Sequence, residues 1–305
     1  MTEKRTKRGA AKIALIVLLC LLIIASLVLN VYYLFFYDIS YLQSPDEIYI
    51  MEAGILKNNL EFAEGEDYFT FTYDFACEDY SQLKEKYNIS EIAGSGTDFE
   101  KALNLMNEFA PRLHHKSNYD NHVNIRALDL LEYSLDNSAQ GINCRNKAQI
   151  LNEMCLALGI HSRKVWIMPN SSYDGDCHVV NEVWDSGLNK WVMLDITNNQ
   201  YWIDENGTPL SILEIREKGA NMEFCTPVEG KESTADPYSL KEKHLGEFLY
   251  IMKNMVYMEY CDKYSSFESD NLYLLFPKNL DTDYEKIISR EVVERSPTNI
   301  LGLHD

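Results

Sequence analysis

The stretch Cys144-Arg145-Asn146-Lys147-Ala148-Gln149-Ile150-Leu151-Asn152-Glu153-Met154-Cys155-Leu156-Ala157-Leu158-Gly159 decides the fold. Ala148, Leu151, Met154, Cys155 and Leu158 recur at helical spacing, and Gly159 supplies a C-terminal stop. The helix starts at Cys144 or Arg145, so a sulfur sits at its N-terminus. Free backbone N–H groups and the helix dipole favour a thiolate there. Upstream, Thr97-Asp98-Phe99-Glu100 has capping-box spacing and opens a helix to about residue 109, with Phe99, Ala102, Leu103 and Met106 on one face. Residues 124–135 read as another helix, with Ile125, Leu128, Leu131 and Leu135 inward. Downstream the period becomes two: strands over residues 164–168 and 200–203, and a hairpin joining 178–184 to 191–196. Helices followed by antiparallel strands predict an α+β domain.

The hairpin has a chemical consequence. Pairing Trp184 with Trp191 places Val180 opposite Asp195 and makes His178 a diagonal neighbour of Asp195 on the same face. Diagonal neighbours lie about 7–8 Å apart at the backbone, within reach of these side chains. A one-residue slip would put the two on opposite faces. The carboxylate can then orient the imidazole, and the imidazole can take a proton from the Cys144 thiol and return it to a leaving amine. Arg145 adds positive potential or points to solvent. Cys177 should face away from His178 and pack.

These segments also resemble a known family. Gly141-Ile142-Asn143-Cys144-Arg145-Asn146-Lys147-Ala148, then Leu158-Gly159-Ile160-His161-Ser162-Arg163, His178-Val179-Val180-Asn181-Glu182 and Trp191-Val192-Met193-Leu194-Asp195 are similar, in order, to G-x-C-x-x-x-A, L-G-I-x-x-R, H-x-W-x-E and W-x-x-x-D of the transglutaminase-like core. The likeness is clear over residues 141–197 and looser over 97–214. It implies a papain-like fold, the Cys-bearing helix packed on an antiparallel sheet, with Cys144 as nucleophile, His178 as acid/base and Asp195 as orienter. Family members include protein cross-linkers, proteases, peptide N-glycanases and non-catalytic relatives, and acyl transfer from an amide through a thioester is what the active ones share. Two departures stand out. Val180 occupies the aromatic position after the histidine, and no oxyanion-side residue is evident upstream of the cysteine, where Gln140 and Asn143 are the candidates. The resemblance implies a peptide or protein substrate, with a non-catalytic module binding a protein or cell-wall ligand as the alternative.

Outside this block, residues 13–36 form a run of 24 without charge, about 36 Å long as a helix and enough to span a bilayer core of about 30 Å. Lys4, Arg5, Lys7, Arg8 and Lys12 precede it, and Tyr32, Tyr33 and Tyr37 follow at the interface. The run exceeds a signal-peptide core and lacks a small-x-small cleavage site. The expectation is a single-pass membrane protein held in the lipid bilayer by residues 13–36. Its N-terminus is cytoplasmic and its C-terminal domain extracytoplasmic. The expected divisions are a basic tail (1–12), the anchor (13–36), a membrane-proximal region (37–96), the core (97–235) and a C-terminal extension (236–305). In the first region, residues 68–75 read as a strand. In the extension, residues 240–252 read as a helix and 272–276 as a strand.

The chain is 305 residues long with a net charge of −19, and the part beyond residue 12 carries −23. So acidic a surface repels phosphate backbones, and no nucleic-acid partner is expected. No cofactor and no metal are expected either. The seven cysteines contain no CxxC pair. His114, His115 and His122 lack a completing carboxylate or cysteine cluster, and Asp174, Asp176 and Glu182 lack EF-hand spacing. Tyr250, Met252, Met255, Tyr257, Met258 and Tyr260 read as core, or as the wall of an aromatic groove.

Overall fold

The computed structural model describes residues 2–36, 45–62, 71–136, 140–171, 174–230, 237–267, 269, 271–280 and 292–294. It divides into two compact units, Met1–Ile48 and Tyr49–Asp305. The first contains helix α1 (Thr2–Phe36), in which Lys12–Tyr32 has a mean hydropathy of 3.0. By length and composition this helix can cross a membrane, and an N-terminal signal sequence would look the same.

The second unit begins within the next helix. Helix α2 (Pro45–Asn58) and strand β1 (Thr72–Tyr73) precede helices α3 (Asp79–Tyr87), α4 (Ile89–Ala93), α5 (Asp98–Phe109), α6 (Ala127–Asp136) and α7 (Cys144–Ala157). Then come strands β2 (Ser162–Met168), β3 (His178–Asp185), β4 (Lys190–Asp195) and β5 (Gln200–Ile203), helix α8 (Ile212–Ala220) and strand β6 (Thr226–Glu229). Helix α9 (Pro237–Lys253) and strands β7 (Tyr257–Cys261), β8 (Lys263–Tyr264), β9 (Leu272–Leu275) and β10 (Val292–Glu294) complete the order. Eight strands form one sheet in the order β10-β9-β7-β2-β3-β4-β5-β6, antiparallel except where β10 joins β9. Helix α7 packs across β2 and β3, against α3, α5 and α6. This is the expected α+β arrangement of a cysteine-bearing helix on an antiparallel sheet.

The local rules explain most elements. Thr97 and Glu100 form the reciprocal capping box that starts α5. Its buried face is Phe99, Ala102, Leu105, Met106 and Phe109, so Leu105 takes the place expected of Leu103, which is only partly buried. Helix α6 begins three residues later than expected. Its first N–H, at Ala127, donates to the buried Glu153 carboxylate 2.7 Å away, a tertiary cap invisible in local sequence. Of the strand expected over residues 68–75, only Thr72–Tyr73 is a strand, and residues 68–70 lie outside the described residues. Residues 231–236 also lie outside them.

Two buried cations tie the layers together. Arg163 on β2 lies directly opposite Glu182 on β3, and the two are paired at 2.7 Å, each with a side chain only 2% exposed. The guanidinium stacks 3.9 Å above Trp191, which itself meets Trp184 edge-on. The other Glu182 oxygen accepts from the Ile212 N–H, so the carboxylate also caps α8. Arg216 is buried against carbonyl oxygens of Asn59, Leu60, Met255 and Val256, which binds the end of α2 to the segment entering β7. Burial pulls its guanidinium down to about 10.

Removing one member of the Arg163–Glu182 pair strands a desolvated charge. Arg163→Met should cost about 3–5 kcal/mol in urea denaturation of the intact chain, whereas Arg163→Met with Glu182→Leu should recover most of the loss. Equal losses in the single and double variants would show that packing, not charge, dominates.

Candidate active site

Asn143 is the N-cap of α7, its side-chain oxygen accepting from the Asn146 N–H at 3.1 Å. That cap makes Cys144 the first helical residue. The approach to it is fixed by a short parallel bridge between His115 and Ile142: Ile142 N–H donates to the His114 carbonyl, and Lys116 N–H to the Ile142 carbonyl, both at 3.0 Å. Gly141 permits this closeness. A Cβ there would stand 2.8 Å from Lys116 Cβ and 3.2 Å from the His114 carbonyl oxygen. The glycine three residues before the cysteine is thus a steric requirement of the site.

Trp184 pairs with Trp191 and Asn181 with Leu194, which continues to Val180 opposite Asp195. This is the expected register, and the expected diagonal contact forms: His178 Nε2 lies 2.8 Å from Asp195 Oδ2. Asp195 is fully buried and otherwise saturated. The Thr197 and Asn198 N–H groups donate to Oδ1, and the Asn198 amide donates to Oδ2 at 2.8 Å. With Nε2 committed to Asp195, Nδ1 is left for Cys144, whose thiol shares a hydrogen bond with His178. The structure therefore brings Cys144, His178 and Asp195 together.

The electrostatics follow from that contact. Burial pushes the Cys144 thiol up, but the hydrogen bond and charge of His178, with N–H groups of Val179 and Arg145 directed at the sulfur, bring it below an ordinary thiol. Burial disfavours a charged His178, yet the Asp195 carboxylate and Cys144 outweigh it and raise the imidazole. Asp195 is raised by burial and lowered further by His178 and Asn198, with a net fall. Thiolate, imidazolium and carboxylate together leave one negative charge. Lys147 follows Cys144 by three residues, so it lies on the same face of α7, and it is 2% exposed. Burial pulls its ammonium down to about 8, against the opposing charges of Asp195 and Cys144. Its charge offsets that of the cluster.

Two lobes of a cleft meet at His178, His115 and Tyr250. One, of about 350 Å³, also contains Ser117, Asn143, Cys144, Cys177 and Val179. The other, of about 400 Å³, contains Thr197, Asn198, Gln200, Lys243 and Glu247. Tyr250 of α9 stands edge-on to His178 with ring centroids 5.7 Å apart. Lys253, one turn on, pairs with Asp174 and Asp176 at 2.8 and 3.1 Å. Asp174 and Asp176 thus fasten α9 beside the cleft.

Several expectations change here. Cys177 does not pack away from the site. The strand starts only at His178, so alternation does not govern Cys177, which lines the Cys144 lobe. Asn143 spends its oxygen on the helix cap and turns its amide toward Asn121 at 3.4 Å, and Gln140 lines neither lobe. Sequence reasoning missed Asn198, Lys147 and the cleft position of His115. The Asp195-Ile196-Thr197-Asn198 turn was the available signal for Asn198, because an Asp that ends a strand accepts from the following N–H groups. Tyr250 is the groove wall, while Met252, Met255, Tyr257, Met258 and Tyr260 are core. None of the seven cysteines is in a disulfide.

The lowered thiol predicts a reactivity profile. Iodoacetamide should alkylate Cys144 faster than Cys155 or Cys225, whose thiols burial pushes up to about 12. The Cys144 rate should persist to lower pH than that of a free cysteine. Because His178 supplies the lowering, His178→Ala should move the profile to higher pH and slow labelling at pH 7 by about tenfold or more. Equal, slow labelling of all cysteines in the native chain would contradict the arrangement.

A family model for the transglutaminase-like superfamily matches residues 86–196, from the end of α3 to the residue after Asp195. No curated protein and no solved structure matches the chain. The match spans Cys144, His178 and Asp195 together with the helix and strands that hold them. Residues 86–196 of this chain are a domain of the transglutaminase-like superfamily.

Proposed function

We propose that the protein is a membrane-anchored thiol enzyme that transfers acyl groups from peptide or protein amides, with Cys144 as nucleophile, His178 as acid/base and Asp195 as orienter. The observation that carries this reading is the His178–Asp195 contact at 2.8 Å, with the remaining imidazole nitrogen turned to a thiol at a helix N-terminus. The sulfur attacks the amide carbonyl, and the carbonyl electrons move to oxygen. The Cys144 N–H, first in α7 and without an intrahelical acceptor, faces the developing charge. Collapse breaks the C–N bond, His178 gives its proton to the amine, and a thioester remains. Water then yields an acid, and a primary amine yields a new amide.

The chemistry is tested by incubating peptide pools with the full-length protein, with and without a primary amine, and reading products by mass spectrometry. Cleavage or amine incorporation that is lost in Cys144→Ala supports the enzyme. No change in any pool, with Cys144 still selectively alkylated, would favour a binding module that retains the fold.

In this reading the Lys12–Tyr32 helix anchors the protein and the basic residues before it stay in the cytoplasm, which puts the domain outside. A membrane-impermeant maleimide applied to intact cells should label Cys144. Labelling that requires lysis would place the domain on the cytoplasmic side.

A further inference from the structure

At the wall of the second lobe, Glu247 belongs to a group of side chains that the proposed acyl-transfer reaction does not use. Glu229 ends β6, while His244 and Glu247 lie three residues apart on α9 and therefore share a face. One ligand atom from each of the three lies within 4.8 Å of the others. Lys243 is the local counter-charge. It bonds Glu229 closely and reaches Glu247 Oε1 at 3.5 Å.

That ion pairing does not complete the group. Two carboxylates face one ammonium, so one negative charge remains. Glu247 Oε2 is buried and has no hydrogen-bond partner, which is costly for a carboxylate oxygen. The ring nitrogens of His244 have no partner among the described residues, and the ring is only partly exposed. Lys243 is 47% exposed on a flexible stem and can swing away.

The geometry points to a divalent transition-metal site formed by Glu229, His244 and Glu247, with the Lys243 ammonium as the resident that the ion displaces. One imidazole and two carboxylates suit a first-row ion such as Zn²⁺ or Mn²⁺, and are too few oxygens for the larger shell of Ca²⁺. A tetrahedral ion with bonds of about 2.1 Å spaces its donors about 3.4 Å apart, so the set must draw in from its present spread of up to 4.8 Å. Three protein ligands leave a position open to water or a substrate oxygen. Because Glu247 and Lys243 line the same lobe as His178, the ion would sit at the cleft wall and fasten α9 to β6. The sequence expectation of no metal arose because the set is split between residue 229 and the pair 244/247, with no short motif.

The test uses Co²⁺ with the full-length protein in detergent micelles. One equivalent should bind with weak d–d absorption, no sulfur charge-transfer band and a raised melting temperature. His244→Ala and Glu247→Gln should each weaken binding by about tenfold or more. Lys243→Met should tighten it several-fold, an outcome that misfolding cannot imitate. No saturable binding, unchanged affinity in both ligand variants, or a sulfur charge-transfer band that vanishes in Cys144→Ser would overturn the site. Should the ligand variants unfold, Lys243→Met decides alone: equal or weaker affinity there counts against the proposal.

Discussion

The pairing of Trp184 with Trp191 is the constraint on which the rest depends. Side chains alternate along a strand, so this one register decides whether His178 and Asp195 share a face or are separated by the sheet. The protein holds the register from both sides. The two indoles meet edge-on, the Arg163 guanidinium stacks on Trp191, and Arg163 is paired with Glu182 across the adjacent ladder. Charge and aromatic packing far from the sulfur therefore set the geometry at the sulfur. A burial penalty for two ions is tolerated because slipping the strand would break the pair as well as the contact.

The site itself is a problem of burying charge. Asp195 is sealed, and its four hydrogen bonds (one from His178, three from Thr197 and Asn198) are what make an ionised carboxylate admissible there. A raised imidazole and a lowered thiol follow from that fixed charge. Lys147 returns the cluster toward neutrality without taking a hydrogen bond away from it. The same logic, incompletely satisfied, is visible at Glu247.

Much of this was legible in the sequence, and the limits are physical. The cysteine helix, the hairpin and the capping box of α5 are written in local periodicity and cap chemistry, which act over a few residues. The diagonal His178–Asp195 contact followed because a hairpin converts sequence distance into register. What escaped was set by tertiary contact. Ala127 begins a helix because Glu153 happens to reach it. His115 enters the cleft because Gly141 allows a bridge to Ile142. Cys177 lies one residue short of the strand whose alternation it was expected to obey. Asn143 has a double part that local sequence only half reveals, since its oxygen starts the helix while its amide stays in the Cys144 lobe.

Tyr250 has a consequence for proton traffic. Its ring stands against the imidazole while Asp195 holds the opposite nitrogen, and the helix carrying it is clamped by Lys253. A half-turn of the imidazole would cut the carboxylate contact. While that contact holds, the two nitrogens keep their places. In the proposed reaction a proton exchanged with thiol, amine or water passes through the nitrogen that faces Cys144, a single gate rather than a revolving door.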